Sequence, residues 1–170
     1  SWLDELNPRV LSNNMLIPYI IGCWEAYFRQ SFMSIVKYAD DISDKALKNC
    51  RVSSQEMLRA IQQPELLAHF VADSLSFQRP SVIADNFKQL NQRIDIASWL
   101  RKPYHNRRKT LFDSISEIID LRDNLVHTGT LSTNISDKEV NRIITDLTAA
   151  ADRVYDGFGT VFDFVPNYNF

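Results

Sequence analysis

Glycine and proline are scarce, four and six in 170 residues, too few for the turn-rich chain of a β-sandwich or barrel. Cysteine is rarer still. Cys23 and Cys50 cannot staple a small secreted domain, and with no signal-like start the expectation is reduced thiols in a cytoplasmic protein. The three histidines, His69, His105 and His127, are scattered, and no carboxylate cluster stands beside a pair of them. No metal and no cofactor is therefore expected. A Gly-rich phosphate loop and a GxSxG elbow are missing too. No apolar run approaches the ~20 residues needed to cross a bilayer, and the most hydrophobic window, Met15 to Phe28, is interrupted by Pro18 and Glu25. A net charge of −2 gives no bulk attraction to nucleic acid or anionic membrane, so any polyanion site has to be a local basic patch. The chain starts at Ser1 rather than methionine, from which the expectation is either a trimmed chain or a piece of a longer protein.

What is present is helical periodicity. Apolar residues at 45% and charged residues at 24% are ordinary for a globular protein long enough to bury one core, so residues 1–170 read as a single domain. A first long helix is expected over about 12–39, capped by Ser12 or Asn13, with Pro18 a point of kinking. Ser53 and Glu56 form a capping box ahead of Met57, Leu58 and Ile61. Pro64 and Pro80 suit the first turns of shorter helices over 64–76 and 80–91, and a short apolar piece covers Ile94 to Leu100. The stretch 106–127 reads as one helix, followed by a loop over 128–135. Ser136 and Glu139 make a second capping box before a closing helix marked by Val140, Ile143, Ile144, Leu147, Ala151, Val154, Tyr155 and Phe158. The fold class is thus all-α, a bundle of two long helices plus a closing C-terminal helix. Trp2, Trp24 and Trp99 read as core or interface anchors, and Tyr27, Phe28, Phe32 and Tyr38 as helical core. The aromatic tail from Val161 to Phe170 lacks helical period and would dock on the body or on another chain.

Arg122 sits where an arginine should not. The apolar residues Leu111, Ile115, Ile118, Ile119, Leu125 and Val126 make one stripe, and at about 100° per residue Arg122 falls inside it. A guanidinium cannot lose its proton, so it needs a carboxylate within the fold or a polar cleft. Glu25, flanked on its own helix by Ile21, Phe28 and Phe32, is the nominated partner; a local Glu25–Arg29 pair is the alternative. Five residues after Arg122 comes His127, then Thr128 and Gly129, a helix stop. Residues five apart diverge by about 140°, so the two share no face. Either the helix unwinds at Val126, with Gly129 in the left-handed cap, or counterparts meet across a two-fold axis. Asp123 does share a face with His127 and would fix the imidazole's tautomer. A fixed arginine and a proton-moving histidine suit a phosphodiester, and RNA brings its own nucleophile in the 2′-hydroxyl. Asn124 is a further candidate for a phosphate hydrogen bond.

A basic stretch precedes that helix: Arg101, Lys102, Tyr104, Arg107, Arg108 and Lys109, with His105 among them. It reads either as an RNA-binding rim, with Tyr104 free to stack on a base, or as a solvated loop balancing an acidic chain. If the helix is continuous from Asn106, Arg108 lies roughly 21 Å from Arg122 along its axis.

The run Arg122-Asp123-Asn124-Leu125-Val126-His127, near a helix end and followed by Thr-Gly, resembles the Arg-x(4–6)-His motif of the HEPN superfamily. The segment Cys23-Trp24-Glu25-Ala26-Tyr27-Phe28 is similar to the acidic element of an early long helix seen in its RiboL-PSP-like and abortive-infection branches. The resemblance implies a metal-independent endoribonuclease that cleaves RNA at a composite Arg/His site in a homodimer. It also implies a toxin–antitoxin or phage-defence setting, with a protein antitoxin or a fused effector domain as partner. Glu25 would set Arg122. Some members only bind RNA or nucleotides, so a non-catalytic dimerisation or RNA-binding module is the alternative.

Overall fold

The computed structural model describes residues 7–40, 42–43 and 50–169; Trp2 and Phe170 lie outside them. Among the described residues the elements are α1 (Pro8–Tyr38), α2 (Ser54–Gln62), a 3₁₀ turn (Pro64–Leu66), α3 (Leu67–Asp73), α4 (Pro80–Leu90), α5 (Ile96–Arg101), α6 (Leu111–Thr128) and α7 (Asp137–Phe162), with no strand. No helix there is long and apolar enough to cross a membrane.

Helix starts follow local chemistry. Asn7 caps α1 by accepting the Arg9 N–H at 2.9 Å, and Pro8 fills the first turn, where its missing N–H costs nothing. The start therefore falls before Ser12 and Asn13, and the helix continues unbroken through Pro18. Ser53 and Glu56 make both halves of their capping box. Ser136 caps α7 by accepting the Glu139 N–H at 3.2 Å, but the Glu139 carboxylate turns to Arg142 instead of returning to the cap. The largest correction concerns α6. His105 and Asn106 have φ of 49° and 54°, left-handed values that no helix accommodates. Thr110 then caps the helix by accepting the Asp113 N–H at 3.2 Å, so residues 106–110 are loop and the 21 Å helical separation does not apply.

The core lies where α1, α4, α6 and α7 converge. Phe87 is its hub, with ring centroids 6.0 Å from Phe28, 5.5 Å from Phe32 and 5.4 Å from Phe158. Ile17, Ile21, Ile115, Ile119, Ile143 and Val154 are fully buried around it. Three expected core residues face out: Tyr38 at 73%, Val126 at 55% and Ile144 at 43% exposure. Tyr38 is the last residue of its helix, Val126 sits in the final turn of α6, and Ile144 turns about 100° away from buried Ile143.

Trp99 of α5 lies flat on α7 at Gly157, where a Cβ would come within 2.7 Å of the indole Cδ2 and closer to its neighbours. Gly157→Ala is expected to cost about 1–3 kcal/mol through overpacking, read as a lower midpoint in chemical denaturation. The α7 helix absorbs Val161 and Phe162 and ends at Asp163, φ 56°. The tail then folds back on its own body: Tyr168 donates to Asp156 at 2.6 Å, and its ring and that of Phe164 each lie 5.6 Å from Tyr155.

Two buried asparagines of α1 hold the segment that follows the motif helix. Asn13 donates to the Ile135 carbonyl at 3.0 Å and to Asp137 at 2.9 Å. Asn14 donates to the Ser132 carbonyl at 2.9 Å and accepts the Ser132 N–H at 2.8 Å.

Candidate active site

Arg122 projects from α6 toward α1. Its side chain is 27% exposed, with Nη2 3.8 Å from Glu25 Oε1 and Nη1 donating to Asp123 Oδ1 at 3.0 Å. The Nε–H is buried and has no hydrogen-bond partner among the described residues. Arg29 does not compete for Glu25, because it pairs with Asp73 of α3 instead. The stripe that carries Arg122 frays into solvent at Val126, so the guanidinium is half-buried at the edge of the core instead of enclosed. It faces a cleft of about 510 Å³ lined by Gly22, Glu25, Ala26 and Arg29 of α1 and by Leu75 to Gln78 of the α3–α4 connection.

That connection supplies residues the sequence pattern did not single out. Gln78 donates to Asp123 Oδ1 at 3.1 Å, and Arg79 donates to Asp123 Oδ2 at 2.9 Å and to Asp120 at 2.8 Å. The loop is held from behind, since Trp24 donates to the Gln78 carbonyl at 3.1 Å and Asn86 to the Ser76 carbonyl at 2.7 Å. Burial works to raise the Asp123 carboxyl, but the hydrogen bonds and charges of Arg122 and Arg79 outweigh it and hold the carboxyl below its usual range. Asp123 is thus committed to two arginines and a glutamine. The expectation that it orients His127 does not hold in this chain, because its oxygens face the cleft loop.

His127 lies exposed in the last turn of α6, its imidazole making no hydrogen bond or ion pair with another described residue. The helix does not unwind at Val126. It continues to Thr128 and closes on Gly129, φ 63°, whose N–H donates to the Leu125 carbonyl. Arg122 and His127 of one chain therefore keep their 140° divergence. Asn124 is exposed, and its carbonyl accepts the Thr128 hydroxyl at 2.8 Å.

The basic stretch is divided in use. Arg107 grips Asp146 of α7 through both terminal nitrogens, at 2.6 and 3.3 Å, and Lys109 pairs with Glu117 at 2.6 Å. Arg101 stacks on Phe112, 4.0 Å from guanidinium carbon to ring centre. Tyr104 lies against the guanidinium carbons of Arg107 at 4.6 Å and Arg153 at 5.3 Å. Lys102 and Arg108 are exposed. Asp146, 1% exposed, also accepts from Ser114 at 2.6 Å and Arg142 at 3.0 Å. Desolvation opposes ionisation there, yet the Arg107 and Ser114 hydrogen bonds and both arginine charges keep its carboxyl below the usual range. Among the described residues, no group of three or more His, Cys, Asp or Glu side chains is placed to hold a metal.

Comparison with curated proteins and with solved structures gives no match to either. The family model described as RiboL-PSP-HEPN matches residues 4–158, which span α1 and the whole motif helix; the chain belongs to that HEPN family.

Proposed function

We propose that this HEPN domain is a metal-independent endoribonuclease working as a homodimer. The observation that carries the reading is Arg122: a permanent cation held by two carboxylates at the mouth of a cleft, with part of its surface open to an anionic guest. Glu25 sits at 3.8 Å, beyond hydrogen-bond distance, so a phosphate can take those donors at little loss. In the proposed reaction the RNA 2′-oxygen attacks the adjacent phosphorus and the bond to the 5′-oxygen breaks. The products are a 2′,3′-cyclic phosphate and a 5′-hydroxyl. Arg122 binds the non-bridging oxygens and stabilises the charge gathered on them, and His127 moves a proton from the attacking oxygen or to the departing one. Exposed Asn124 adds a hydrogen bond to the strand in this reading, and exposed Arg101, Lys102 and Arg108 attract its flanking phosphates.

The unbroken helix to Thr128 favours a site made from Arg122 of one copy and His127 of another. The exposed side of α1 supports pairing of copies. Between Val10 and Phe28 the sole charged residue is Glu25, and Leu11, Met15 and Tyr19 are 50%, 66% and 72% exposed. Gly22 and Ala26 carry that uncharged stripe into the cleft of Arg122. Depletion of charge with exposed Met and Tyr is the composition of an interface centre. A nuclease of this kind, needing restraint by a partner protein, fits a toxin or phage-defence effector.

Two measurements test this. Cleavage of a structured RNA should persist in excess EDTA, and a strict metal requirement would overturn the chemistry. Arg122→Ala and His127→Ala chains, each inactive alone, should regain activity when mixed, because half of the composite sites in a mixed dimer carry both groups. Mixed dimers with no activity would place both groups within one chain. One observation favours a second reading, RNA binding without cleavage: nothing described fixes the ring of His127. Salt-sensitive RNA affinity without products would establish it.

A further inference from the structure

Asp123 is shared by two arginines with different surroundings. Arg122 opens on the cleft, whereas Arg79 stands behind Asp123 and is pinned at the far side by Asp120. The chain segment bearing Arg79 has its own anchors: the Ser76 carbonyl takes a hydrogen bond from Asn86, and the Gln78 carbonyl takes one from the Trp24 indole. Trp24 is 4% exposed and adjoins Glu25 on α1. One short loop therefore ties together the helix that supplies Glu25 and the helix that supplies Arg122.

We infer that Arg79 is a positioning residue for the arginine of the active site, acting through Asp123. The inference rests on the ribonuclease reading of Arg122 and extends it to a residue outside the Arg-x(4)-His run. The physical argument is a matter of what Arg122 does without it. A carboxylate held only by Arg122 would follow that side chain as it moved. Fixed from behind by one terminal nitrogen of Arg79 and by the Gln78 amide, it becomes a rigid post that sets the direction of the Arg122 guanidinium. Glu25 cannot do this alone, because at 3.8 Å it supplies charge without directional bonding. Pairing at Arg79 is partly exposed, 42% for its side chain, and such pairs contribute little to global stability. Its effect should fall on geometry at the cleft, where a displacement of about 1 Å can cost on the order of 10²-fold in rate.

The test uses the full chain and two readouts. In Arg79→Gln the rate constant for RNA cleavage should fall about 10–100-fold, while the melting temperature stays within a few degrees. Arg79→Lys should recover part of the rate, since an ammonium can hold Asp123 without bridging to Asp120. The double variant Arg79→Gln/Asp123→Asn should be no slower than Asp123→Asn alone, the non-additivity expected of a residue that acts through another. Asp120→Asn, which removes only the outer arm, should cleave at close to the normal rate. Independently of activity, nitrogen-15 relaxation at the Arg122 Nε should report lost order in Arg79→Gln and retained order in Asp120→Asn. Unchanged Arg122 order in Arg79→Gln, or additive rate losses in the double variant, overturns the inference. If the unaltered chain cuts no RNA, the ribonuclease reading fails, and the relaxation measurement still decides whether Arg79 positions Arg122.

Discussion

Arg122→Ala is expected to lower the rate of the proposed RNA cleavage by about 10²–10³-fold, the loss typical when a preorganised donor to a developing oxyanion is removed. The chain should stay folded. The residues left behind are Glu25, 35% exposed and so able to recover water, and Asp123, still engaged by Arg79 and Gln78. No fully buried charge is stranded, which is the circumstance that makes loss of an ionic partner severe. Arg122→Lys should rescue little, because an ammonium cannot grip two non-bridging oxygens in a plane. His127→Ala should cost about 10²–10⁴-fold by removing the proton-moving group, with no effect on melting, since the imidazole is exposed. Single-turnover cleavage of a labelled RNA, alongside thermal melting, checks both. An Arg122→Ala chain within a few-fold of normal activity would remove the central residue from the mechanism.

Asp146→Asn is expected to cost about 3 kcal/mol of stability, or roughly 6–12 °C in melting temperature for a chain of this size. The carboxylate is 1% exposed and receives two guanidinium groups and the Ser114 hydroxyl. An amide returns one acceptor and turns a donor pair toward cations. The pH dependence carries a definite sign. Because the folded carboxyl lies below its usual range, the folded chain binds that proton less readily than the unfolded chain does. Its stabilisation is complete above the unfolded value, about 3.9, and is lost as pH falls through the folded value. The gap between the unaltered chain and Asp146→Asn in urea denaturation should therefore be wide at neutral pH and close on acidification. A gap that persists unchanged at pH 3 would show that packing, and not the ionised carboxylate, carries the effect.

How far the sequence could be read depended on whether a signal was local. Capping at Ser53 and Ser136, the helix stop at Gly129 and the helices themselves are written within a few residues, and they stand in the structure. The Glu25–Arg122 proximity was legible because each charge interrupted an apolar stripe on its own helix. The start of α6 lies at Leu111 instead of Asn106, although its signal is local: Thr110 followed three residues later by Asp113 is a cap pattern, and the apolar stripe itself begins at Leu111. Arg79 gave no such sign. It precedes a first-turn proline like many arginines, and its partners lie 41 and 44 residues away. Asp146 was hidden for a related reason. A charge on an amphipathic helix ordinarily belongs to the solvated side, and its burial is tolerable because Arg107, arriving from the loop at 106–110, joins Arg142 and Ser114 around it.

Asn13 and Asn14 turn the end of the motif helix into an extension of α1. The chain leaving Gly129 is latched to α1 through Ser132 and Ile135, a few residues from the bare side of that helix where Met15 stands. The surface that would meet a neighbouring molecule and the segment leaving the histidine-bearing turn are thus carried on the same helix.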